Sequence, residues 1–135
     1  MRIVAFAILA AFMFSCAGTP QQGPVTVQKL SPTEFKQQNM NNKTRLVDVR
    51  TPQEFASGHL DGAMLSDFRG GDFAEDIKSW DKDKVYYLYC ASGNRSGQAA
   101  QLMKEAGFKH IYDLGGFQTL KEAGLPTETG DAIKK

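Results

Sequence analysis

The sequence predicts an α/β fold, a sheet covered on both faces by helices. Three observations carry this. Short apolar runs alternate with segments bearing helix-start and helix-stop residues. The run Val85-Tyr86-Tyr87-Leu88-Tyr89 is continuously apolar and reads as a buried strand. Ser31-Pro32-Thr33-Glu34 and Thr51-Pro52-Gln53-Glu54 share one helix-start grammar: a hydroxyl cap, proline at the first helical position and glutamate three residues after the cap.

Taken in order, Val25-Thr26-Val27 is a short first strand and Ser31 opens a helix to about Asn39. Arg45–Val49 is a second strand, followed by the helix that Thr51 caps. A short strand falls within His59–Met64. Asp67 to Asp72 is a loop, and Asp72 caps a helix to about Trp80. Val85–Tyr89 is the central strand. A helix from Ser96 to Ala106 ends at Gly107. Ile111-Tyr112-Asp113 is the last strand, and the Gly115-Gly116 turn precedes a helix that Gly124 closes. Residues 25–127 form the domain and 128–135 a flexible tail.

The first 15 residues read as a targeting segment. Met1-Arg2 is followed by 12 apolar residues, Ile3 to Phe14. That run is too short to span a bilayer and suits the hydrophobic region of a signal peptide. Ser15-Cys16 then resembles a bacterial lipoprotein cleavage site, with Cys16 lipidated and residues 16–24 a Pro/Gly/Gln-rich linker. This reading places the protein outside the cytoplasm, lipid-anchored to the cell envelope and facing the periplasm or exterior. Simple secretion after cleavage is the alternative. The 135 residues suit one domain, and with 41 % hydrophobic residues a core needs no disulfide. Sixteen basic against 15 acidic residues give no basic excess and no support for nucleic-acid binding. A monomer is expected.

If Cys16 carries lipid, Cys90 is the one remaining thiol in an oxidising compartment and cannot form a disulfide within the chain. No CxxC pair and no Cys/His cluster is present, so neither dithiol exchange nor a structural zinc site is expected. Cys90 ends the central strand and precedes Ala91-Ser92-Gly93-Asn94-Arg95-Ser96 and a helix start. A helix N-terminus offers unpaired N–H groups and partial positive charge. Arg95 adds a permanent cation that can meet an incoming anion or brace the loop. Ser96 can cap the helix and hydrogen-bond the anion. Together they favour a thiolate and an anion site. Asp48 and Arg50 read as a paired brace beneath the loop, His59 as a structural, hydrogen-bonded histidine and His110 as a surface or turn residue. Arg69-Gly70-Gly71 reads as a flexible loop.

Leu46-Val47-Asp48-Val49-Arg50, then Glu54-Phe55, Gly58-His59-Leu60 and Gly62-Ala63 resemble the N-terminal signature of rhodanese domains. The loop from Cys90 to Ser96 is similar to the family's active-site loop. Leu114-Gly115-Gly116-Phe117 and Gly124-Leu125-Pro126 resemble its C-terminal segment. The likeness is to small, single-domain, exported rhodaneses. It implies a small three-layer domain with a central, mostly parallel sheet and sulfur transfer through a persulfide on Cys90. Ala91 to Ser96 would be the substrate-binding loop. It further implies no cofactor and no metal, with a small anionic sulfur donor and a thiol or cyanide acceptor as partners. Leu120 stands where the family commonly has tryptophan, and Met64-Leu65-Ser66-Asp67 replaces its usual Ile/Val-Asn-Ile-Pro. Ala91, Ser92, Gly93 and Asn94 are neutral, which leaves the donor open.

Two other classes compete. A non-catalytic rhodanese-like binding module would often lack the cysteine. A cysteine phosphatase or arsenate reductase places five residues between Cys and Arg; here there are four, and Tyr89 precedes the cysteine where phosphatases usually have His.

Overall fold

A computed structural model describes residues 23–131. The expectations for Cys16, the leader and the last four residues lie outside these. Twelve elements follow in order: β1 (Gln28–Lys29), α1 (Pro32–Lys36), β2 (Thr44–Asp48), α2 (Pro52–Ser57), β3 (His59–Leu60), β4 (Met64–Leu65), α3 (Asp72–Asp76), β5 (Val85–Cys90), α4 (Asn94–Glu105), β6 (His110–Gly116), α5 (Phe117–Glu122) and β7 (Thr127–Glu128).

Five strands form a parallel sheet in the order β1-β6-β5-β2-β4. A parallel sheet buried on both faces needs apolar residues at every position of its middle strand, as β5 supplies. Alternation along β5 divides them. Tyr86, Leu88 and Cys90 join Val47, Phe73, Ala99 and Met103 on the face covered by α3 and α4. Tyr87 and Tyr89 join Phe35, Leu60, Leu114 and Leu120 on the opposite face. Leu120, fully buried, fills the interior position of α5.

Several elements differ from expectation. The first ladder pairs Gln28 and Lys29 with Tyr112 and Asp113 rather than using Val25–Val27. Val25 and Val27 pack on the core as partly buried side chains, while the Leu30 N–H to Asp113 C=O bond sets the register directly before the Ser31 cap. The segment 59–65 holds two short strands in different sheets: β4 pairs with β2, and β3 pairs antiparallel with β7. Glu128, expected in a flexible tail, is thereby tied to His59. Helix α1 stops at Lys36, where Gln37 and Gln38 turn back onto the carbonyls of Glu34 and Phe35. Helix α3 is capped by Gly71 at φ +92° rather than by Asp72, and ends at Asp76. Gly115 and Gly116, expected as a turn, continue β6 past an irregularity opposite Leu88/Tyr89.

Candidate active site

The C-terminal ends of β2, β4 and β5 lie side by side, because the strands are parallel neighbours. Open α/β sheets put their ligand sites at this edge. Cys90 is the last residue of β5 and is fully buried. After it the chain turns through exposed Ala91 and Ser92 to Gly93, which caps α4 at φ +92°. A side chain would be strained in that conformation, and a Cβ there would stand 3.3 Å from the Gly115 Cα. Glycine therefore lets the loop lie down on β6 and brings the Gly93 N–H within 3.0 Å of the Cys90 Sγ.

Burial works to raise the Cys90 thiol. Hydrogen bonds from the backbone and side chain of Ser96 and from the N–H groups of Ser92 and Gly93 outweigh it and hold the thiol below its ordinary value. The donors converge because α4 begins here, so its free N–H groups face one point. The arrangement favours sulfur in its anionic form.

Arg95 is buried and does not face outward. Its Nη1 and Nη2 donate to Glu54 Oε2 and Oε1, each at 2.8 Å. Glu54 also accepts from the Thr51 N–H at 2.9 Å as the third residue of the α2 capping box. One carboxylate thus starts α2 and clamps the cysteine loop. Of the two roles open to Arg95, the side chain takes the brace. Ser96 is not the helix cap: its hydroxyl donates to Asp113 Oδ1 at 2.7 Å and approaches the Gly93 carbonyl at 3.2 Å. The Asn94 side chain accepts from Gln98 and stays exposed.

Just past β2, Arg50 donates to both oxygens of Asp48 and to the Gly58 carbonyl at 2.6 Å. Its guanidinium lies 4.2 Å from the Phe117 ring centroid. His59 is buried, with Nδ1 2.8 Å from the Phe55 carbonyl and its ring stacked on Phe55. Asp48, Arg50 and His59 therefore make internal contacts only. Among the described residues no cluster of His, Cys, Asp and Glu is arranged to hold a metal, and no helix is long and apolar enough to cross a membrane. An apolar cavity of about 480 Å³ lined by Phe35, Leu60 and Leu125 includes none of the cysteine-loop residues.

The sequence reading assigned no role at the site to Glu54, Asp113 or Gly116. A Cβ at Gly116 would meet the Ala91 carbonyl oxygen at 2.7 Å, so this glycine seats the loop. Glu54 had a signal, but its capping-box position explained it fully. Asp113 had one too, as a carboxylate inside an apolar strand.

The Arg95 hydrogen bonds hold the Glu54 carboxyl down at about 2, against an ordinary 4.5. A depressed folded-state value means stability that is present above pH 4.5 and lost as pH falls toward 2. Because the Glu54 side chain is 34 % exposed, screening reduces the contribution to about 1 kcal/mol. Glu54→Gln is expected to remove this part of the acid dependence. Between pH 5 and pH 2 the wild-type melting temperature should fall by roughly 5 °C more than that of the variant, followed by circular dichroism. Equal falls would show that the clamp adds nothing.

The rhodanese-like domain model matches residues 31–123. The chain is 33 % identical over 104 residues to the thiosulfate sulfurtransferase GlpE of Pseudomonas aeruginosa, covering 77 % of this chain and 92 % of that protein. It is 34 % identical over 121 residues to the uncharacterized protein YqhL of Bacillus subtilis, covering 87 % and 90 %. Among solved structures, a rhodanese-related protein from Thermoplasma volcanium superposes with a TM-score of 0.63 at 25 % identity, covering 75 % of this chain and 97 % of that one. A rhodanese with anions from E. coli superposes with a TM-score of 0.54 at 27 % identity, covering 64 % of this chain and 99 % of that one.

Proposed function

The chain belongs to the rhodanese-like domain family, and on that premise we propose that it is a sulfurtransferase working through a persulfide on Cys90. The observation that carries the proposal is the Cys90 sulfur at the end of β5, met at 3.0 Å by the Gly93 N–H at the start of α4. The thiolate attacks the outer sulfur of thiosulfate or a related donor. The donor's S–S bond breaks, sulfite leaves with the bonding pair, and the outer sulfur stays on Cys90. An acceptor thiolate or cyanide attacks that sulfur, and Cys90 leaves as the thiolate. This is covalent catalysis in two displacements. The N–H donors match the negative charge carried by the persulfide. The chemistry calls for no metal or cofactor.

With Arg95 held by Glu54, the loop's cation is already neutralised. The N–H donors are then the groups left to meet an anionic donor. The test is intact mass after incubation with thiosulfate. A gain of one sulfur atom, mapped to Cys90 and removed by cyanide, is expected. No gain with any sulfane-sulfur donor would favour the binding-module reading.

We further propose that the protein is exported and lipid-anchored through Cys16, a reading that rests on Ser15-Cys16 after the apolar run. A diacylated terminus anchors stably where one chain does not. Cys16→Ala is expected to block processing or release the protein from the membrane fraction. Unchanged processing and membrane association would overturn this reading.

A further inference from the structure

We propose that Glu54 is a specificity-determining residue: by holding both Nη atoms of Arg95, it withdraws the loop's cation and selects sulfane-sulfur donors of one negative charge or none over the thiosulfate dianion. The donor class rests on the sulfur-transfer reading above; the charge role of Glu54 is tested without it.

Glu54 reaches the cysteine loop through the topology. β2 and β5 are parallel neighbours, so α2 and α4, which follow them, both begin at the sheet edge where Cys90 sits. Glu54 Oε2 and Oε1 accept from Arg95 Nη1 and Nη2, each at 2.8 Å. The forked edge of the guanidinium, which would otherwise match an oxyanion, is thereby taken. Within the pair the exposed partner is the acid: the Glu54 side chain is 34 % exposed and that of Arg95 9 %. A donor arriving from solvent meets carboxylate before guanidinium. The Glu54 hydrogen bonds raise Arg95 above its ordinary value and the charge of Cys90 adds to this, so the guanidinium lies within electrostatic reach of the sulfur.

The other charges at this edge supply no substitute. Arg50 is bound by Asp48. Asp113, under the first turn of α4, is a further carboxylate. Arg69 lies on the loop after β4, which the Phe68 N–H to Val49 C=O bond ties to this edge. It is exposed, so solvent and salt screen it. Ala91, Ser92, Gly93 and Asn94 are neutral. An incoming dianion therefore finds N–H groups rather than a cation to receive it. The repulsion from the thiolate scales with the donor's charge, so each charge removed from the donor lowers it. A capping box takes glutamine as well as glutamate. The charge of Glu54 is thus dispensable for starting α2, whereas it decides what the loop presents to an anion.

A thiosulfonate illustrates the favoured step. The Cys90 thiolate attacks the outer sulfur and a new S–S bond forms. The donor's own S–S bond breaks, and the sulfinate leaves with the bonding pair. Two negative charges enter and two leave, where thiosulfate brings the total to three. No proton moves.

Glu54→Gln keeps the capping box and an acceptor for Arg95 but removes the charge. Four probes are applied to the full chain, each product mapped to Cys90 by peptide mass. Sulfur loading is followed from thiosulfate and from methanethiosulfonate, and alkylation by iodoacetate and by neutral iodoacetamide. Relative to iodoacetamide, the variant should gain about threefold with the two monoanions and about tenfold with thiosulfate. A loosened loop or a changed thiolate fraction would move all four rates by one common factor, and that result overturns the proposal. Added potassium chloride should leave unchanged or raise thiosulfate loading in wild type and lower it in Glu54→Gln. If the variant does not fold, wild type decides alone: loading that falls as salt is added reports a cation facing the donor and overturns the proposal. If wild type takes up sulfur from neither donor, the sulfur-transfer reading fails and the donor class with it. The ratio of iodoacetate to iodoacetamide rates then still decides the charge role of Glu54.

Discussion

Cys90→Ser is expected to abolish persulfide formation while the domain stays folded. A serine hydroxyl is nearly isosteric with the thiol but remains protonated at neutral pH, and the N–H groups of the loop cannot make it a useful nucleophile. The position is fully buried within the α3–α4 core, so replacing sulfur with a polar oxygen has a cost. That cost is limited to about 1 kcal/mol, because the Gly93 N–H that now meets sulfur can donate to the new oxygen. The variant should therefore melt within several degrees of wild type and take up no sulfur from thiosulfate. Its thiosulfate:cyanide activity should match a protein-free control. Activity persisting at more than a trace would move the nucleophile elsewhere, and no other thiol is present among the described residues.

What could be read from sequence at this site was local. Cys90, the loop after it and the following helix are contiguous, so strand, turn and helix start announced themselves together. Asp48 and Arg50 are two residues apart, and their pairing needs no knowledge of topology. The partners that were missed come from far along the chain. Glu54 reaches Arg95 across 41 positions, and Glu128 reaches His59 across 69. The Glu54 case shows why local reasoning stops short. A capping box accounts for a glutamate completely, so nothing in the sequence asks for a second partner. Ser96 shows the converse. Its place near a helix start suggested a cap, yet Gly93 takes that position, and the hydroxyl is free for Asp113 on the neighbouring strand. Element ends were misplaced for a related reason. Strand ladders are set by pairing, so β1 falls on polar Gln28 and Lys29 beside Tyr112 and Asp113, not on the nearby valines.

Inserting one glycine between Gly93 and Asn94 is expected to reduce sulfur transfer by about a hundredfold or more. The donors around Cys90 come from both sides of that point, Ser92 and Gly93 before it and Ser96 after it. An added residue cannot be absorbed downward. Gly93 already packs against the Gly115 backbone, and Gly116 leaves no room beneath the Ala91 carbonyl. The chain must bulge outward, which widens the cradle and draws one set of N–H groups off the sulfur. On the helix side Ser96 is fixed to Asp113 and Arg95 to Glu54, so the Ser92–Gly93 side is the one that moves. Losing one preorganised donor costs on the order of 3 kcal/mol of transition-state stabilisation, which gives the stated factor. Core contacts of α4 through Ala99, Ala100 and Met103 lie beyond the insertion, so the melting temperature should change far less than the rate. The measurement is single-turnover sulfur loading from thiosulfate, with hydrolysis of a phosphate ester run beside it. The wild-type loop, with four residues between Cys90 and Arg95, should turn over thiosulfate and leave the ester intact. Robust ester hydrolysis by wild type without thiosulfate turnover would mean that the short loop holds a tetrahedral oxyanion rather than a single extra sulfur. Full sulfur-transfer activity in the insertion variant would mean that donor placement does not limit the reaction.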